Sequence, residues 1–358
     1  MSQHPADEVS ATIIPTRWVG PIRITGDLDE SVEVPLATYE TPLWPSVGRG
    51  ARVSRLVEDG IRVTIVDERM TRSVLLTADN AEAAHTAARM VDARFAELEQ
   101  VVRGQSNYAR LLEAHSEIVG NLLFVRFAFS TGDASGHNMV TQASDALLGA
   151  ILSWGLAVEY GSVSGNYCSD KKATSVNGVL GRGRRAVAEI LIPHEVTART
   201  LRTSAQKVTD LVTRKNLVGS TIAGAVRSAN AHYANMLLGV YLATGQDAAN
   251  IVEGSQGITY AEVREDGLYF SCTLPHLIVG TVGNGKHLPH VEEALTRLGC
   301  REEREPGENA RRLATITAAT VLCGELSLLA AQTNPGELMA AHVAFERTPS
   351  RPARGNQA

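Results

Sequence analysis

The sequence predicts an α+β protein in which a compact block of mixed strands and helices, at about residues 75–160, precedes a mostly helical region. Two patterns carry this prediction. Apolar and polar residues alternate in some segments, as in strands, and apolar residues recur at steps of three and four in others, as in helices. The 358 residues, 44% of them hydrophobic and 20% charged, are typical of a globular protein with two domains or one domain carrying an insertion.

The first predicted elements lie on both sides of the start of this block. Residues 31–40 and 60–67 alternate apolar and polar side chains, which predicts two strands. From Asn80 to about Val102, apolar residues at helical spacing predict one amphipathic helix. The block continues with a predicted strand at 121–129, a helix through 139–151 and a strand near 157–163.

The second half of the chain is predicted to be mostly helical. Residues 195–214 have helical spacing, and residues 221–243 are apolar on most sides and rich in small residues, which predicts a central core helix. Strand character returns in residues 257–284, and a final long helix runs from about residue 309 to residue 330. Residues 348–358 lack apolar groups and are expected to form a flexible tail.

Charge and cysteine usage exclude several function classes. The net charge of −5 is spread along the chain without a long basic run, so nucleic acid is not an expected partner. The four cysteines form no CxxC pair, which indicates reduced thiols of a cytoplasmic protein and no zinc site. The N-terminus lacks a basic segment followed by an apolar one, and polar residues interrupt 221–243, so neither a secretory signal nor a membrane span is expected.

One segment, SGNYCSDKK at residues 164–172, combines glycine, asparagine and serine with an aspartate and two lysines. Two lysines after an aspartate are by themselves typical of a solvated turn. The composition also fits a functional loop on a rigid scaffold, because binding and catalytic residues are disproportionately found on loops. These residues alone leave the choice open.

The segment resembles the SGNYCTDKK loop of the 3-hydroxy-3-methylglutaryl-coenzyme A (HMG-CoA) reductase family almost residue for residue. Further family-like motifs follow in the family's order, over about residues 14–347. They are VPLATYE (34–40), MTR (70–72), GDASGHNM (132–139), KNLVGS (215–220), NAHYAN (230–235), GQDAAN (245–250), GTVGNG (280–285), PGENARRLA (306–314), GELSLLAA (324–331) and AAHVAFER (340–347). Several independent motifs in one order are far more specific than a single glycine-rich pattern.

The resemblance implies a fold and an activity. A large, helix-rich substrate domain would comprise residues 1–74 and 161–347, with a catalytic loop at 162–174, and a ferredoxin-like cofactor domain would be inserted at 75–160. The implied reaction is the reduction of HMG-CoA by two NADPH to mevalonate and free CoA, without a metal. The family also implies a homodimer or higher homo-oligomer with active sites at the interface. The motif variants favour the family's class I branch.

The resemblance implies four catalytic residues. Lys171 would stabilise the negative charge that develops on the thioester oxygen. His342 would protonate the departing CoA thiolate, because a histidine titrates near neutrality. Glu40 would donate the second proton if a neighbouring carboxylate raises its pKa, and Asp247 would be that neighbour and would also hold Lys171. Taken singly, each residue is more typical of an ordinary surface position or a helix cap.

The resemblance also implies two sets of binding residues. The substrate set is Arg72, Ser164, Asn166, Asp170, Lys172, Lys215 and Asn235. The cofactor set is Ser106, Asn107, Asp133, Ala134, Ser135, Gly136, His137, Asn138, Met139, Gly283, Gly285 and Arg347. Cationic and amide groups suit the carboxyl-derived ends of the acyl group, and a helix start supplies N–H donors for phosphate.

Departures from the family's motifs keep alternatives open. Tyr39, Thr41 and Pro42 replace small residues beside Glu40 and are expected to crowd the substrate, so a reductase of another branched acyl-CoA is one alternative. A non-catalytic paralogue that binds CoA or nucleotide is a second. Asn107 stands where an arginine would hold the 2′-phosphate, so NADH is not excluded.

Overall fold

The structure is a computed structural model that describes residues 12–346. Arg347, the predicted tail 348–358 and the side chain of His342 lie outside the described residues. Within residues 12–346 the chain forms ten strands and thirteen α-helices in a mixed α/β arrangement.

Some of the elements match predicted ones, and others were not predicted from the sequence. The strands are β1 Thr16–Gly26, β2 Glu30–Ala37, β3 Ile61–Ala78, β4 Arg110–Val119, β5 Leu122–Ser130, β6 Val158–Ser162, β7 Gly183–Pro193, β8 Ser228–Ala229, β9 Gly257–Val263 and β10 Gly267–Leu277. The α-helices are α1 Leu43–Arg55, α2 Ala81–Ala93, α3 Phe95–Gln105, α4 His137–Leu152, α5 Ser175–Leu180, α6 His194–Thr200, α7 Ala205–Leu211, α8 Ser220–Ile222, α9 Tyr233–Ala243, α10 Ile251–Gly254, α11 Pro289–Arg297, α12 Glu308–Gln332 and α13 Glu337–Glu346. A π-helix, Val212–Gly219, joins α7 to α8.

The described strands form one mixed sheet, and β3 is its branch point. The first half of β3 pairs with β1 and β7, in the order β2-β1-β3-β7-β10-β9-β8. The second half pairs with β5 and β6, which gives the order β6-β3-β5-β4. The pairs β1–β3 and β8–β9 are parallel and the others are antiparallel. An 18-residue strand is about 60 Å long at about 3.3 Å per residue, so β3 is long enough to serve two separate layers.

Two hydrophobic cores lie along this sheet. The larger is built from β1, β2, β7 and β10 together with α1, α9 and α12. The smaller contains buried residues only from 70–151, with the single addition of Ile278. Its elements follow the order strand, helix pair, strand, strand, helix, strand, from the end of β3 to β6. Each core therefore has its own set of strands and helices.

The predicted central helix at 221–243 is confirmed only in its second half, as α9. The chain leaves helical geometry at Gly224, whose φ is +69°, and α9 begins only at Tyr233. Between them the Asn230 side-chain amide donates to the carbonyls of Ser255 and Gly257, at 3.0 and 3.2 Å. These tertiary hydrogen bonds satisfy the backbone carbonyls at this point without a helix. Residues 221–227 are exposed although several of them are apolar, so the apolar composition did not indicate a buried helix there.

The central helix is α12 instead. It is 25 residues long, so it spans about 37 Å, and it packs against α1, α9, β3 and β7. At the crossing with α1, a Cβ on Gly50 would lie only 2.2 Å from the carbonyl oxygen of Cys323, so only glycine fits there. Among the described helices α12 alone is long and apolar enough to cross a membrane, but 94% of its apolar window is buried inside the molecule, as in a core helix.

Two other predicted helices are interrupted. Residues 195–214 divide into α6 and α7, because Arg202 adopts a φ of +56° and the Ser204 side chain caps α7 by accepting from the Lys207 N–H. The helix predicted from Asn80 divides into α2 and α3 at Arg94. Asn80 does cap α2, accepting from the Ala83 N–H at 2.9 Å, so the predicted start is confirmed.

Candidate active site

The predicted catalytic loop is a tightly held turn between β6 and α5. Asn166, Ser169 and Lys171 all have positive φ, between 49° and 59°, which non-glycine residues adopt only when the surroundings impose it. Ser73 on β3 supplies part of that constraint, because its Oγ accepts from the Cys168 N–H at 3.1 Å. The loop therefore presents Lys171 in a fixed direction.

Lys171 forms an ion pair with Asp247. The Lys171 Nζ lies 2.7 Å from Asp247 Oδ2, and the other carboxylate oxygen accepts from the Ala249 N–H at 3.1 Å. The hydrogen bond to Asp247 raises the pKa of Lys171 above its ordinary value. Burial opposes ionisation of Asp247, but the hydrogen bonds from Lys171 and Ala249 outweigh it and lower the pKa of that carboxyl. Both groups are therefore charged at neutral pH.

A buried arginine, Arg182, fixes the catalytic loop through hydrogen bonds. Arg182, 1% exposed, donates to the Thr71 carbonyl at 2.7 Å and to Asp170 Oδ1 at 2.5 Å. Its Nε lies 3.5 Å from an oxygen of Glu253, which is fully buried. Burial raises the pKa of Glu253, although the charge of Arg182 opposes that shift. Arg182 thus fixes Asp170, the residue directly before Lys171.

Arg182 and Glu253 were not among the predicted site residues. A buried arginine within GRGRR (181–185) cannot be distinguished by sequence from its exposed neighbours.

A cavity of about 570 Å³, the Lys171 cavity, opens beside this ion pair. It brings together eleven of the predicted site residues, and Thr141, Gly245, Val282, Asn284 and Lys286 complete its lining. The predicted residues are Arg72, Ala134, Ser135, Gly136, His137, Asn138, Met139, Asp170, Lys171, Asp247 and Gly283. The His137 Nε2 lies 3.6 Å from Asp170, and burial together with the charge of Arg182 lowers the pKa of this histidine.

The start of α4 gives this cavity an anion-binding character. Gly136 precedes α4 with a φ of +96°, and a Cβ there would lie 2.6 Å from a methyl carbon of Thr131. The free N–H groups at the N-terminus of a 16-residue helix attract phosphate. Opposite, Gly283 has a φ of +105° and nothing within 4 Å of where a Cβ would stand. These features suit a dinucleotide that approaches the backbone closely.

Several predicted binding residues do not line the cavity. Asp133 instead accepts from the Gly307 and Ala310 N–H groups, at 3.0 and 2.9 Å, and so satisfies the start of α12. Ser106 and Asn107 form the turn between α3 and β4, where the Ser106 Oγ accepts from backbone N–H groups of that turn. The other described residues of the two predicted sets that lie outside the cavity lining are Ser164, Asn166, Lys172, Lys215, Asn235 and Gly285.

Glu40 does not line the Lys171 cavity but a second cavity of about 380 Å³, the Glu40 pocket. The Glu40 carboxylate accepts from the Asn235 side-chain amide at 3.0 Å. Tyr39 does not crowd this pocket, since it is 68% exposed and its hydroxyl donates to the Ile13 carbonyl. The pocket is lined by Glu40, Pro42, Leu43, Pro45, Ser46, Arg49, His232, Asn235, Ser327, Leu328, Ala331, Gln332, Glu337 and Leu338.

The Glu40 pocket and the Lys171 cavity lie at opposite ends of α9. Asn235, the partner of Glu40, is in the first turn of this helix, whereas Asp247 follows its last residue, Ala243. The eight residues from Asn235 to Ala243 rise about 12 Å along the helix axis. Within one chain, therefore, Asp247 is the partner of Lys171 and not the neighbour of Glu40.

Glu325 on α12 organises the end of α9 that faces the Glu40 pocket. This fully buried carboxylate accepts from the N–H groups of Ala231 and His232, at 2.6 and 3.0 Å, and from the Thr259 hydroxyl at 2.8 Å. It also faces Lys215, whose pKa is lowered by burial although the charge of Glu325 opposes that shift. Lys215 is thereby connected to the Glu40 pocket. The sequence placed Glu325 in a family-like motif but gave no sign of this role.

An arginine-lined groove adjoins the Glu40 pocket. Arg49 lines both, and its Nη1 pairs with Glu337 of α13 at 2.6 Å. The groove has a volume of about 450 Å³, and no carboxylate lines it. Its lining residues are Pro45, Gly48, Arg49, Arg52, Arg199, Thr200 and Arg202.

Side chains that suit a metal are not grouped in the described part of the chain. No three His, Cys, Asp or Glu residues within 12–346 are placed to hold one ion. All four cysteines are buried and unpaired.

Comparisons with known proteins agree with the order of the motifs. The family model "Hydroxymethylglutaryl-coenzyme A reductase" matches residues 8–347. The chain is 43% identical over 337 residues to the 3-hydroxy-3-methylglutaryl-coenzyme A reductase of Aeropyrum pernix, covering 93% of this chain and 79% of that protein. It is 44% identical over 323 residues to the enzyme of the same name from Pyrococcus abyssi, covering 89% of this chain and 78% of the relative.

A solved structure has a similar fold. The class II enzyme of this name from Streptococcus pneumoniae, bound to NADPH in open conformations, superposes with a TM-score of 0.72. The match covers 92% of this chain and 87% of the other, at 20% sequence identity. At that identity the likeness extends to the fold alone.

Proposed function

The chain belongs to the hydroxymethylglutaryl-coenzyme A reductase family, and from this premise we propose that it reduces HMG-CoA with two NADPH to mevalonate and free CoA. The observation that carries the proposal is the Lys171–Asp247 ion pair at 2.7 Å, which lines a cavity together with nine further predicted site residues.

NADPH supplies the hydride in each of the two reductions when it is bound. The Lys171 cavity fits it, because the α4 N-terminus and the open backbone at Gly283 offer a place for its diphosphate. Ala134, Ser135, Gly136, Asn138 and Met139 would hold it. Ser106, Asn107 and Arg347 stay predictions as cofactor-binding residues.

Lys171 would stabilise the oxyanion that forms when the thioester carbonyl is reduced. Its raised pKa keeps the ammonium charged at neutral pH, and Asp247 and the strained loop fix its position. A preorganised cation contributes most in a site from which water is excluded, since no solvent has to reorganise during the reaction. Arg72 and Asp170, in the same cavity, would bind polar ends of the acyl group.

The remaining catalytic groups would come from a second copy of the chain. Glu40 and Lys171 lie at opposite ends of α9, so one chain supplies the Lys171 cavity and another would supply the Glu40 pocket with Asn235 and Lys215. This arrangement supports a homodimer, or a higher oligomer, with active sites at the interface. His342, on α13, would protonate the departing CoA thiolate.

The CoA part of the substrate would lie along the arginine-lined groove. CoA carries a diphosphate and a 3′-phosphate, and Arg52, Arg199 and Arg202 offer charge-assisted hydrogen bonds to such groups. Because Arg49 lines both the groove and the Glu40 pocket, the acyl end of the same molecule would reach Glu40.

We also propose the finer architecture that the resemblance implies. The separate core of residues 70–151 and the strand order β6-β3-β5-β4 support an inserted ferredoxin-like cofactor domain at about 75–160. Membership of the class I branch is supported by the motif variants in the sequence. Four buried, unpaired cysteines agree with a cytoplasmic location.

The test is turnover by the purified protein with HMG-CoA and NADPH, with simultaneous assay of free thiol and mevalonate. The proposal requires two NADPH oxidised for each CoA released and each mevalonate formed. Folded protein that turns over a different branched acyl-CoA, and not HMG-CoA, would reject the substrate; no turnover with any acyl-CoA and either NADPH or NADH would reject the enzyme.

A further inference from the structure

Lys286 is a buried lysine in the wall of the Lys171 cavity that the mechanism above does not use. It is only 6% exposed, and its Nζ donates to the Gly245 carbonyl, two residues before Asp247. Arg301 holds the backbone on this side, donating to the Lys286 carbonyl at 2.9 Å. The ammonium is therefore fixed at the edge of the cavity.

The charge of Lys286 has no counter-charge within the described part of the chain. Asp170 pairs with Arg182 and Asp247 with Lys171, and no carboxylate oxygen of residues 12–346 lies within 4.0 Å of the Lys286 Nζ. A buried charge without a partner is costly. Accordingly, burial and the nearby charge of Arg301 lower the pKa of Lys286 to about 8. One carbonyl uses only one of the three donors that an ammonium offers.

The loop that carries Lys286 faces the start of α4. The first residues of this loop are hydrogen-bonded to the GDASGHNM segment (132–139) that leads into α4. The Thr281 N–H donates to the Asp133 carbonyl at 2.8 Å, and Val282 forms a β-bridge with Ala134. Lys286 and the residues that lead into α4 consequently line the same cavity from two sides. An anion between them would receive hydrogen bonds from helix N–H groups on one side and a positive charge on the other.

We propose that Lys286 binds a phosphate oxygen of the dinucleotide's diphosphate, opposite the N-terminus of α4. The inference rests on the proposed function, since it takes the hydride donor to be a nicotinamide dinucleotide. Lys286 thereby acts as a binding residue that sets affinity for the cofactor. It takes no part in proton transfer, because Lys171 and Asp247 occupy the catalytic end of the cavity.

The test compares Lys286→Met and Lys286→Arg with the wild type. Lys207→Met is the matched control, because Lys207 is an exposed lysine on α7 that lines neither site. Direct NADPH binding, followed by nucleotide fluorescence, and steady-state kinetics are measured in parallel. Loss of a charge-assisted hydrogen bond should raise both the Kd and the KM for NADPH at least about tenfold in Lys286→Met. The kcat and the KM for HMG-CoA should stay near the wild-type values, and Lys286→Arg should retain most of the affinity.

The pH dependence gives a second readout. The ammonium of Lys286 is present below pH 8 and lost above it, so the wild-type Kd for NADPH should rise above about pH 8, whereas Lys286→Arg should not show this limb because arginine stays charged. The adjacent charged groups are Asp247 and Arg301, and Glu292 binds Arg301. Across the cavity and along the loop, the other groups are Arg72, His137, Asp170, Lys171 and His287. The pKa of His137 is lowered and that of Lys171 is raised, which moves both away from this window.

Three results would overturn the inference. The first is an unchanged Kd for NADPH in Lys286→Met. The second is a fall in kcat alone, which would mean that Lys286 orients Asp247. The third is an equal loss of affinity for NADPH and for HMG-CoA in both Lys286→Met and Lys286→Arg, which would indicate that Lys286 has a purely structural role. Wild-type turnover with no effect of Lys286→Met rejects this inference only. Lys286-dependent NADPH binding without turnover rejects only the proposed reaction.

Discussion

The Glu40 pocket and the Lys171 cavity hold different halves of one predicted active site. The Glu40 pocket is lined mainly by polar and apolar residues of α1 and α12, and the Glu40 carboxylate accepts from the Asn235 amide. The Lys171 cavity is lined by charged side chains and open backbone, and the Lys171–Asp247 ion pair forms part of its wall. The two are attached to opposite ends of α9, so neither has the full catalytic set.

The two halves of the predicted site are held in place in the same way. Each half is anchored by a buried charged residue: Glu325 fixes the start of α9 beside the Glu40 pocket, and Arg182 fixes the loop before Lys171. A buried charge with several hydrogen-bond partners favours one geometry, because losing a partner is costly. Both halves are thus preorganised within one chain, and association of two chains would bring them together.

The largest expected effect is the loss of Lys171. Lys171→Ala removes the cation beside the developing oxyanion and should lower kcat on the order of 10²–10³-fold. The fold should be unaffected, because Lys171 is exposed and Arg182 and Ser73 hold its loop. Circular dichroism and turnover are measured together, with Lys207→Ala as the control. Turnover near the wild-type rate would remove Lys171 from the mechanism.

Mixing two inactive variants tests whether the two halves come from different chains. Glu40→Gln and Lys171→Ala, co-expressed in equal amounts, should recover about a quarter of wild-type activity, because half of the dimers are mixed and each of these has one intact site. Asp247→Asn mixed with Lys171→Ala is the matched control and should recover nothing, since both residues belong to the Lys171 cavity. Equal behaviour of the two mixtures would mean that each chain assembles its own site.

The smallest expected effect concerns stability. Asp247→Asn should lower the free energy of unfolding at neutral pH by only about 0.2–1 kcal/mol, because the side chains of Lys171 and Asp247 are 40% and 42% exposed. The pKa of Asp247 is lowered in the folded protein, so the pair stabilises above the ordinary carboxyl pKa and this contribution is lost as the pH falls through the lowered value. Urea unfolding at neutral and acid pH should show the difference between variant and wild type shrinking in acid. A difference of several kcal/mol would mean that the pair is effectively buried.

Local patterns were enough for several of the elements. Helical spacing predicted α4 because this helix buries one face and the period of the pattern is preserved. The predicted strands β2 and β5 and the predicted helix α12 are also present, although β5 and α12 are buried along most of their length. The same logic failed at 221–243. There the segment is apolar, but Asn230 bonds to carbonyls of Ser255 and Gly257, and Ala231 donates to Glu325, so these partners lie 25 residues or more away. No local window contains those partners.

The sequence by itself determined the family and the residue types of the site, since Glu40, Lys171 and Asp247 stand inside motifs that are recognisable in order. Only the tertiary structure decided which of them meet: Lys171 with Asp247, and Glu40 with Asn235. Only it separated the buried Arg182 and Lys286 from exposed residues of the same types. The physical reason is that burial and pairing depend on segments that are distant in the sequence and pack against each other. The sequence alone does not show whether the counter-charge of a charged side chain lies in its own chain, in a second copy or in a ligand.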